Sequence, residues 1–433
     1  MIEPQIPKGF RDFLPQQMMA RRDIMRTMSD IFERYGFVPL DTPCLEYART
    51  LEGKYGEEGD KLIYRFEDRG GRAVALRYDL TIPLARVAAM YGQLPRPFKR
   101  YQIAPVWRAD KPQKGRFREF YQCDIDIIGA PGACADAELL LVAHAVLQAL
   151  GFDNYLIRIN NRKVLNALAA VLGIAAERIP DFLRALDKLD KTGPDAVLQD
   201  MAGQGLLAGD ALAIVRDHLL SGGDSSAAVA ALVAGSEAGA AGLAELDVIE
   251  RVLAADGVDK RYYKKDIALA RGLDYYTGPI FEVVVKEPRI GSILGGGRYD
   301  DLIGLFTKQS LPATGISFGL ERLVTVMEEL GMRGAEGSLT QVLVTQFSEE
   351  LLDEAVRLAA LLRTSGLRTE LYHAPDKLKK QLSYAAGRAI PAVVVLGPDE
   401  AREGRAALKN MLNGSQEVLD QQDLPEAVRR IVA

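Results

Sequence analysis

Apolar residues recur along this chain with two different periods, and the change of period maps its elements. Ile24, Met28, Ile31, Phe32 and Tyr35 fall at helical spacing, so residues 17–35 predict a helix that Gly36 ends. An extended segment, FVPLDTPCLE, follows and carries Pro39 and Pro43. Between 100 and 129 the period falls to two: RYQIAPVWRADKPQKGRFREFYQCDIDIIG reads as two long strands joined by a short basic loop. In the second strand Tyr121, Cys123, Ile125 and Ile127 share one face, while Arg118, Phe120, Gln122, Asp124 and Asp126 share the other. The first face suits a core; the second presents a cation, an aromatic plate, an amide and two carboxylates. A solvated outer face alternates in the same way, so parity alone does not make this a site.

Beyond Asp136 a second helix turns Leu139, Leu140, Ala143, Leu147 and Leu150 inward and closes at Gly151, and 155–160 reads as a strand. Residues 162–255 are Ala- and Leu-rich helices with a loose Gly/Ala/Ser stretch, which predicts a helical insertion. Strands and glycine turns return at 266–318, then 319–331 is helical with Leu320, Leu323, Val324, Met327 and Leu330 on one face. GMRGAEGS (331–338) reads as a linker. The tail runs strand VLVTQF, helix, strand LRTELYH, helix, strand AVVVLG, an order that predicts a small α/β domain with a largely parallel sheet.

A chain of 433 residues exceeds what one core supports, so two or three domains are expected. Its 48% hydrophobic and 26% charged residues are ordinary for a soluble globular enzyme. The net charge of −5 leaves no global basic footprint, so a nucleic-acid partner must be held by local patches or by shape. No apolar run has signal-peptide or membrane character, and no membrane partner is expected. Cys44, Cys123 and Cys134 show no CxxC pair, which favours a reduced cytosolic setting without structural zinc. His144, His218 and His373 lie far apart, which disfavours a His metal site or a Ser-His-Asp triad. The chemistry must rest on Arg, carboxylates, Tyr, Gln and backbone groups.

Four segments supply such groups. In GISFGLERL (315–323) Arg322 sits in the first turn of a helix, where a cation opposes the dipole and needs an anion. A phosphate is one candidate; Glu321 or Asp300 is the other. ILGGGRYDDLIGLF (293–306) has three consecutive glycines that let a ligand approach the backbone, but neither a Walker GK[ST] nor Rossmann spacing. IALARGLDYYTGPIFEVVV (267–285) sets Arg271 and Asp274 beside Tyr275 and Tyr276, with Gly272 and Gly278 arguing for a shaped loop. LRYDLTIPLARVAAM (76–90) places Asp79 and Thr81 at a strand-to-helix junction, where either also serves as a cap.

In this order the segments resemble the three signature motifs of class II aminoacyl-tRNA synthetases. FVPLDTP with Pro43 looks like the dimer-forming first motif, VWRAD…RFREFYQ like the second and GLER like the third. RGLDYYTG (271–278) and GGGRYDDL (295–302) resemble the two histidine motifs of the histidyl-tRNA synthetase family, and GFRDFLP and RYDLTIPLAR fit the same family. The likeness spans nearly the whole chain. One departure is Asp126, with Trp107-Arg108-Ala109-Asp110: both resemble the variant typical of eukaryotes, and aspartate for glutamate shortens the arm by a methylene.

The resemblance implies an α/β (α+β) architecture: a class II antiparallel sheet flanked by helices in residues 1–330, the 162–255 insertion within it, a linker at 331–338 and an α/β anticodon-binding domain at 339–433. It implies a cytoplasmic homodimer that activates histidine with ATP, releases pyrophosphate and charges tRNA(His). Mg2+ would arrive on the ATP, with no metal site of the protein's own. Arg108, Arg271 and Arg322 are the implied charge-stabilising residues. Asp79, Leu80, Thr81, Gln122, Asp126, Tyr275 and Tyr276, with Arg108 and Arg271, are implied for histidine. Arg116, Glu119 and Phe120, with Arg108 and Arg322, are implied for ATP. The 109–116 loop is implied for the tRNA acceptor end, and Lys377, Lys379, Lys380 and Arg388 for the anticodon. The rivals are a regulatory subunit of ATP-phosphoribosyltransferase, an RNA-binding sensor module and a synthetase for Pro, Thr or Gly. The first typically lacks the tail and the histidine-motif arginine, both present here.

Overall fold

The computed structural model describes residues 2–113, 115–220, 226–270, 275–288, 290–307, 309–332 and 337–432. Its main sheet is built from β1 (Val38–Pro39), β2 (Phe98–Trp107), β3 (Glu119–Ile128), β4 (Tyr155–Asn161), β5 (Tyr263–Lys265), β6 (Pro279–Val285), β7 (Ser292–Arg298) and β8 (Ala313–Gly319). Among the described residues the strand order is β1-β2-β3-β8-β7-β6-β4-β5. The two edge pairs, β1 with β2 and β4 with β5, are parallel; every pair between them is antiparallel. The basic-loop hairpin forms as its alternation predicts, with Phe98 opposite Ile128 and Trp107 opposite Glu119.

Four helices matter for the site: α1 (Pro15–Arg34), α2 (Thr81–Met90), α3 (Ala133–Ala149) and α4 (Leu320–Glu329). Ile24, Met28, Ile31 and Phe32 of α1 and Leu139, Leu140, Ala143 and Leu147 of α3 bury against Cys123, Ile125 and Ile127 of β3. Phe32 lies 6.0 Å from the Phe318 ring of β8. One face of the sheet is thereby sealed by apolar contact, the dominant favourable term in folding. Helix α3 begins three residues before Asp136, so Asp136 lies inside its first turn. That carboxylate is fully buried and ion-pairs with Arg298 at the end of β7.

The predicted insertion is helical from Arg162–Val171 through Glu237–Ala255, with residues 221–225 outside the described ones. By its contacts the chain divides into two compact units, one up to residue 333 and one from 334 onward. In the second, Thr369–Leu371, Val342–Val344 and Ala392–Val395 are parallel as expected. The sheet does not stay parallel, however. Arg405–Asn410 and Gln416–Asp420 extend it antiparallel. These strands were not anticipated, because the outer one is largely exposed and polar and carries no apolar run.

Burial raises the Asp136 carboxyl to about 6, the Arg298 guanidinium only partly offsetting it. The pair therefore adds little net stability, yet its rupture is costly, because the remaining charge stays buried. Asp136→Ala should lower the unfolding free energy of the first unit by about 3–5 kcal/mol in urea titrations, and a change below about 1 kcal/mol would contradict this account.

Candidate active site

On the unsealed face of β3 the even positions look into two adjoining cavities. The inner one, about 190 Å³, is lined by Asp79, Thr81, Gln122, Asp124, Asp126, Tyr275, Tyr276 and Tyr299. The outer one, about 240 Å³, is lined by Arg116, Phe117, Phe120, Ser292 and Arg322. Arg108, Gln122, Gly295 and Ser317 belong to both.

The floor of the inner cavity is fixed by strand register. Gln122, Asp124 and Asp126 stand opposite Gly319, Ser317 and Gly315 of β8, and Asp126 stands opposite Arg100 of β2. A Cβ on Gly315 would fall 1.9 Å from Asp126 Oδ1, and one on Gly296 would fall 2.1 Å from the Gly315 carbonyl oxygen. The glycine run is thus a packing requirement: β7, β8 and the Asp126 side chain occupy space that any side chain would fill.

Asp126 receives the Tyr299 hydroxyl on Oδ1 and faces Arg100 Nη2 at 2.7 Å through Oδ2. Arg100, fully buried, also donates to the Leu80 carbonyl at 3.2 Å. Gln122 Nε2 donates to Ser317 Oγ at 2.6 Å. Asp79 caps α2, as one reading of its junction predicted: its Oδ1 accepts from Ile82 N at 3.1 Å and from Tyr55 OH at 3.0 Å. Capping uses only that oxygen. Among the described residues, Asp79 Oδ2, Gln122 Oε1, Asp124 Oδ1 and Asp126 Oδ2 are buried acceptors without a hydrogen-bond donor.

Charge follows the same geometry. Burial raises the carboxyls of Asp79, Asp124 and Asp126 above their ordinary value, with Asp124 reaching about 7. Arg100 opposes the shift at both Asp124 and Asp126, and the Asp126 charge adds to it at Asp124. Burial also raises the Tyr275 and Tyr276 hydroxyls, which keeps both neutral.

The outer cavity has the opposite sign. Arg108 donates Nε to the Tyr78 carbonyl at 3.1 Å and lies 5.1 Å from the Phe120 ring. Arg322, in the first turn of α4, donates to the Ser292 carbonyl. Its two alternative partners are committed elsewhere. Glu321 pairs with buried Arg21 at 2.7 Å and accepts Tyr121 N at 2.9 Å, and Asp300 pairs with Arg298 at 3.2 Å. Arg116 reaches Asp110 at 3.0 Å.

Two expected contacts require correction. Glu119 lies on the opposite parity from Phe120, and its carboxylate accepts the Trp107 indole at 2.7 Å, so it lines neither cavity. The Leu80 side chain packs with Ala104, Val106 and Phe120, so it supports the aromatic plate from behind. Arg271 and Asp274 lie outside the described residues. Sequence reading passed over Tyr299, Ser317 and Arg100 as site residues. Only Tyr299 had a signal, standing inside the GGGRYDDL motif; the other two become visible once β2 and β8 flank β3.

An antiparallel sheet of this order, with a hairpin arginine and a helix-start arginine around one cleft, is the catalytic module of a class II aminoacyl-tRNA synthetase. Comparison with known proteins is in agreement. The histidyl-tRNA synthetase family profile matches residues 9–323, and an anticodon-binding domain profile matches 341–431. A histidine–tRNA ligase of Rhodopirellula baltica is 44% identical over 99% of this chain and 98% of its own length. The crystal structure of histidyl-tRNA synthetase from Nostoc superposes with a TM-score of 0.87 at 30% identity, covering 99% of this chain and 100% of that one. A Bacillus halodurans protein described as an ATP phosphoribosyltransferase regulatory subunit/histidyl-tRNA synthetase reaches 0.77 at 25% identity, covering 91% and 99%. The chain belongs to the histidyl-tRNA synthetase family.

Two outcomes follow from this geometry. Gly315→Ala should displace Asp126 and lower amino-acid-dependent kcat/KM about 10²-fold; a value near wild type would show that the cavity floor tolerates the added methyl. Asp124, raised from its ordinary 3.8 to about 7 in the folded chain, favours the folded state below pH 4 and loses that contribution as pH rises towards 7. Asp124→Asn should therefore gain stability relative to wild type between pH 4 and 7.5, read as denaturation midpoints across that range; a constant difference would refute the raised carboxyl.

Proposed function

We propose that this chain activates L-histidine with ATP, releasing pyrophosphate, and transfers the histidyl group to the 3′ end of tRNA(His). The observation that carries the reading is the joining of two cavities of opposite character at Arg108: buried acceptors inside, guanidinium groups outside. A ligand rich in N–H donors suits the first, and a polyphosphate suits the second.

The activating step is in-line attack of the histidine carboxylate on the α-phosphate. The nucleophile is already ionised at neutral pH, so it needs positioning and charge neutralisation rather than a general base. Arg108, which borders both cavities, would meet the substrate carboxylate and the α-phosphate together. Arg322 at the start of α4 would hold the terminal phosphate, with Arg116 at the rim. Phe120, backed by Leu80, offers a flat face for adenine. Asp79 and Thr81 at the α2 junction suit the α-ammonium group, and Gln122, Asp126, Tyr275 and Tyr276 bound the space left for the ring. Family resemblance supports Arg271 as a further cation at the reacting carboxylate. Mg2+ would supply charge neutralisation on the triphosphate beside Arg108 and Arg322. The ion would enter on the nucleotide.

Transfer to tRNA would use the 109–116 loop at the acceptor end and the second unit at the anticodon. Lys377, Lys379, Lys380 and Arg388 are exposed there, although Lys380 pairs with Asp376 at 2.9 Å and Arg388 contacts Tyr384 at 2.8 Å. Tyr47 and Phe66 flank Val74 across a three-stranded sheet and are about half exposed, as are Val38 and Leu45. This apolar surface supports a homodimer through the first motif. No described helix is long and apolar enough to cross a membrane, and the absence of a cysteine pair supports a cytoplasmic setting.

Pyrophosphate exchange with each of the twenty amino acids tests the reading, and histidine alone should drive it. Arg322→Ala should slow the histidine-dependent rate about 10²-fold or more. Histidine binding with no exchange would instead favour the regulatory-subunit reading.

A further inference from the structure

We propose that the segment before α1, residues 8–13, is a clamp that sets the width of the outer cavity, with Arg11 as a positioning residue for the nucleotide. This rests on the nucleotide reading of that cavity and adds a determinant from outside it, since neither Gly9 nor Arg11 lines it. The cavity has walls from distant parts of the chain: Arg116, Phe117 and Phe120 on the hairpin, Glu321 and Arg322 at the start of α4. Among the described residues, β3 pairs with β8 only as far as Gln122 opposite Gly319; beyond that point its ladder runs with β2 alone. A stack of rings and guanidinium groups links the two walls instead. The Arg11 guanidinium lies 3.3 Å from the centre of the Phe117 ring and 4.8 Å from that of Phe13. The Arg21 guanidinium lies 3.9 Å from the Phe13 ring and pairs with Glu321 at 2.7 Å.

Main-chain contacts fasten the other end of the clamp. The Gly9 carbonyl accepts Arg118 N at 2.9 Å. Arg118 shares the polar face of β3 by parity, yet it lines neither cavity. Its guanidinium is spent on backbone: Nε donates to the Asp110 carbonyl at 3.0 Å and Nη1 to the Lys8 carbonyl at 3.3 Å. Gly9 has a φ of +90°, and a Cβ there would fall 2.8 Å from Arg118 Cγ and 2.9 Å from Pro112 Cγ. Only glycine permits so close an approach in that conformation. The attachments therefore bracket Arg116 and Phe117, the hairpin residues that line the cavity. A guanidinium stacked on an aromatic face holds the ring in orientation, so Phe117 is braced from the side away from its wall. A wall already set at its bound width spares the ligand the ordering of that segment.

Histidine-dependent pyrophosphate exchange by the full chain, with ATP and histidine varied separately, tests the clamp. Arg11→Ala should raise KM for ATP about threefold or more, the scale of one or two cation–π contacts, with KM for histidine within about twofold of wild type. Melting temperature reports folding, and Gly9→Ala, which pushes the segment away from Arg118 and Pro112, repeats the measurement if Arg11→Ala does not fold. A rise in KM for ATP below about threefold in the folded variant overturns the proposal. So does a fall in kcat with both KM values unchanged, which is what loss of folded protein alone produces. Wild-type protein that neither binds ATP nor exchanges overturns the nucleotide reading itself, a different result from a silent Arg11 variant.

Discussion

The period-two alternation of β3, locked between β2 and β8, is the constraint on which the site depends. Cys123, Ile125 and Ile127 can bury only by facing α1 and α3. Once they do, Gln122, Asp124 and Asp126 must face the other way, because a strand offers no intermediate direction. A slip of one residue would put two carboxylates into the apolar core, at a cost in desolvation far above the strength of any single contact. Pairing along both edges of β3 prevents that slip. The hydrophobic effect thus aims the polar groups, although it contributes nothing to them directly.

What results is a cleft graded in charge. Carboxylates dominate the inner cavity and guanidinium groups the outer one, with Arg108 at the border. An amino acid presents an ammonium group inward and a carboxylate outward, and ATP presents its phosphates from the other side. Under the proposed function such a gradient would orient both substrates before any chemistry occurs, and orientation is the larger part of what adenylate formation needs.

Holding that gradient requires dense packing and buried ion pairs. Gly296 and Gly315 let β7, β8 and Asp126 approach more closely than side chains allow. Arg21 with Glu321 ties α1 to α4, and Asp136 with Arg298 ties α3 to β7. Such pairs are poor sources of net stability, but they penalise any arrangement in which a partner is lost. They keep the strand ends and the start of α4 in place around the cleft.

Much of this was legible in the residues alone: the β2–β3 hairpin, the two faces of β3, α1, the helical insertion and the strand–helix alternation of the tail all follow from apolar periodicity. The shared face of Gln122 and Asp126 and the helix-start position of Arg322 were legible in the same way. Periodicity did not reveal the antiparallel strands at 405–420, whose outer member lacks an apolar run, and the resemblance put Glu119 with the nucleotide although its parity turns it onto Trp107. A sequence determines which side chains share a face, since that depends on neighbours two to four residues away. How the buried carboxylate oxygens are partnered depends on Arg100, Tyr299 and Ser317, which lie up to 217 positions apart in the chain (317 − 100). Only the folded sheet brings Tyr299 and Arg100 to Asp126 and sets Ser317 opposite Asp124.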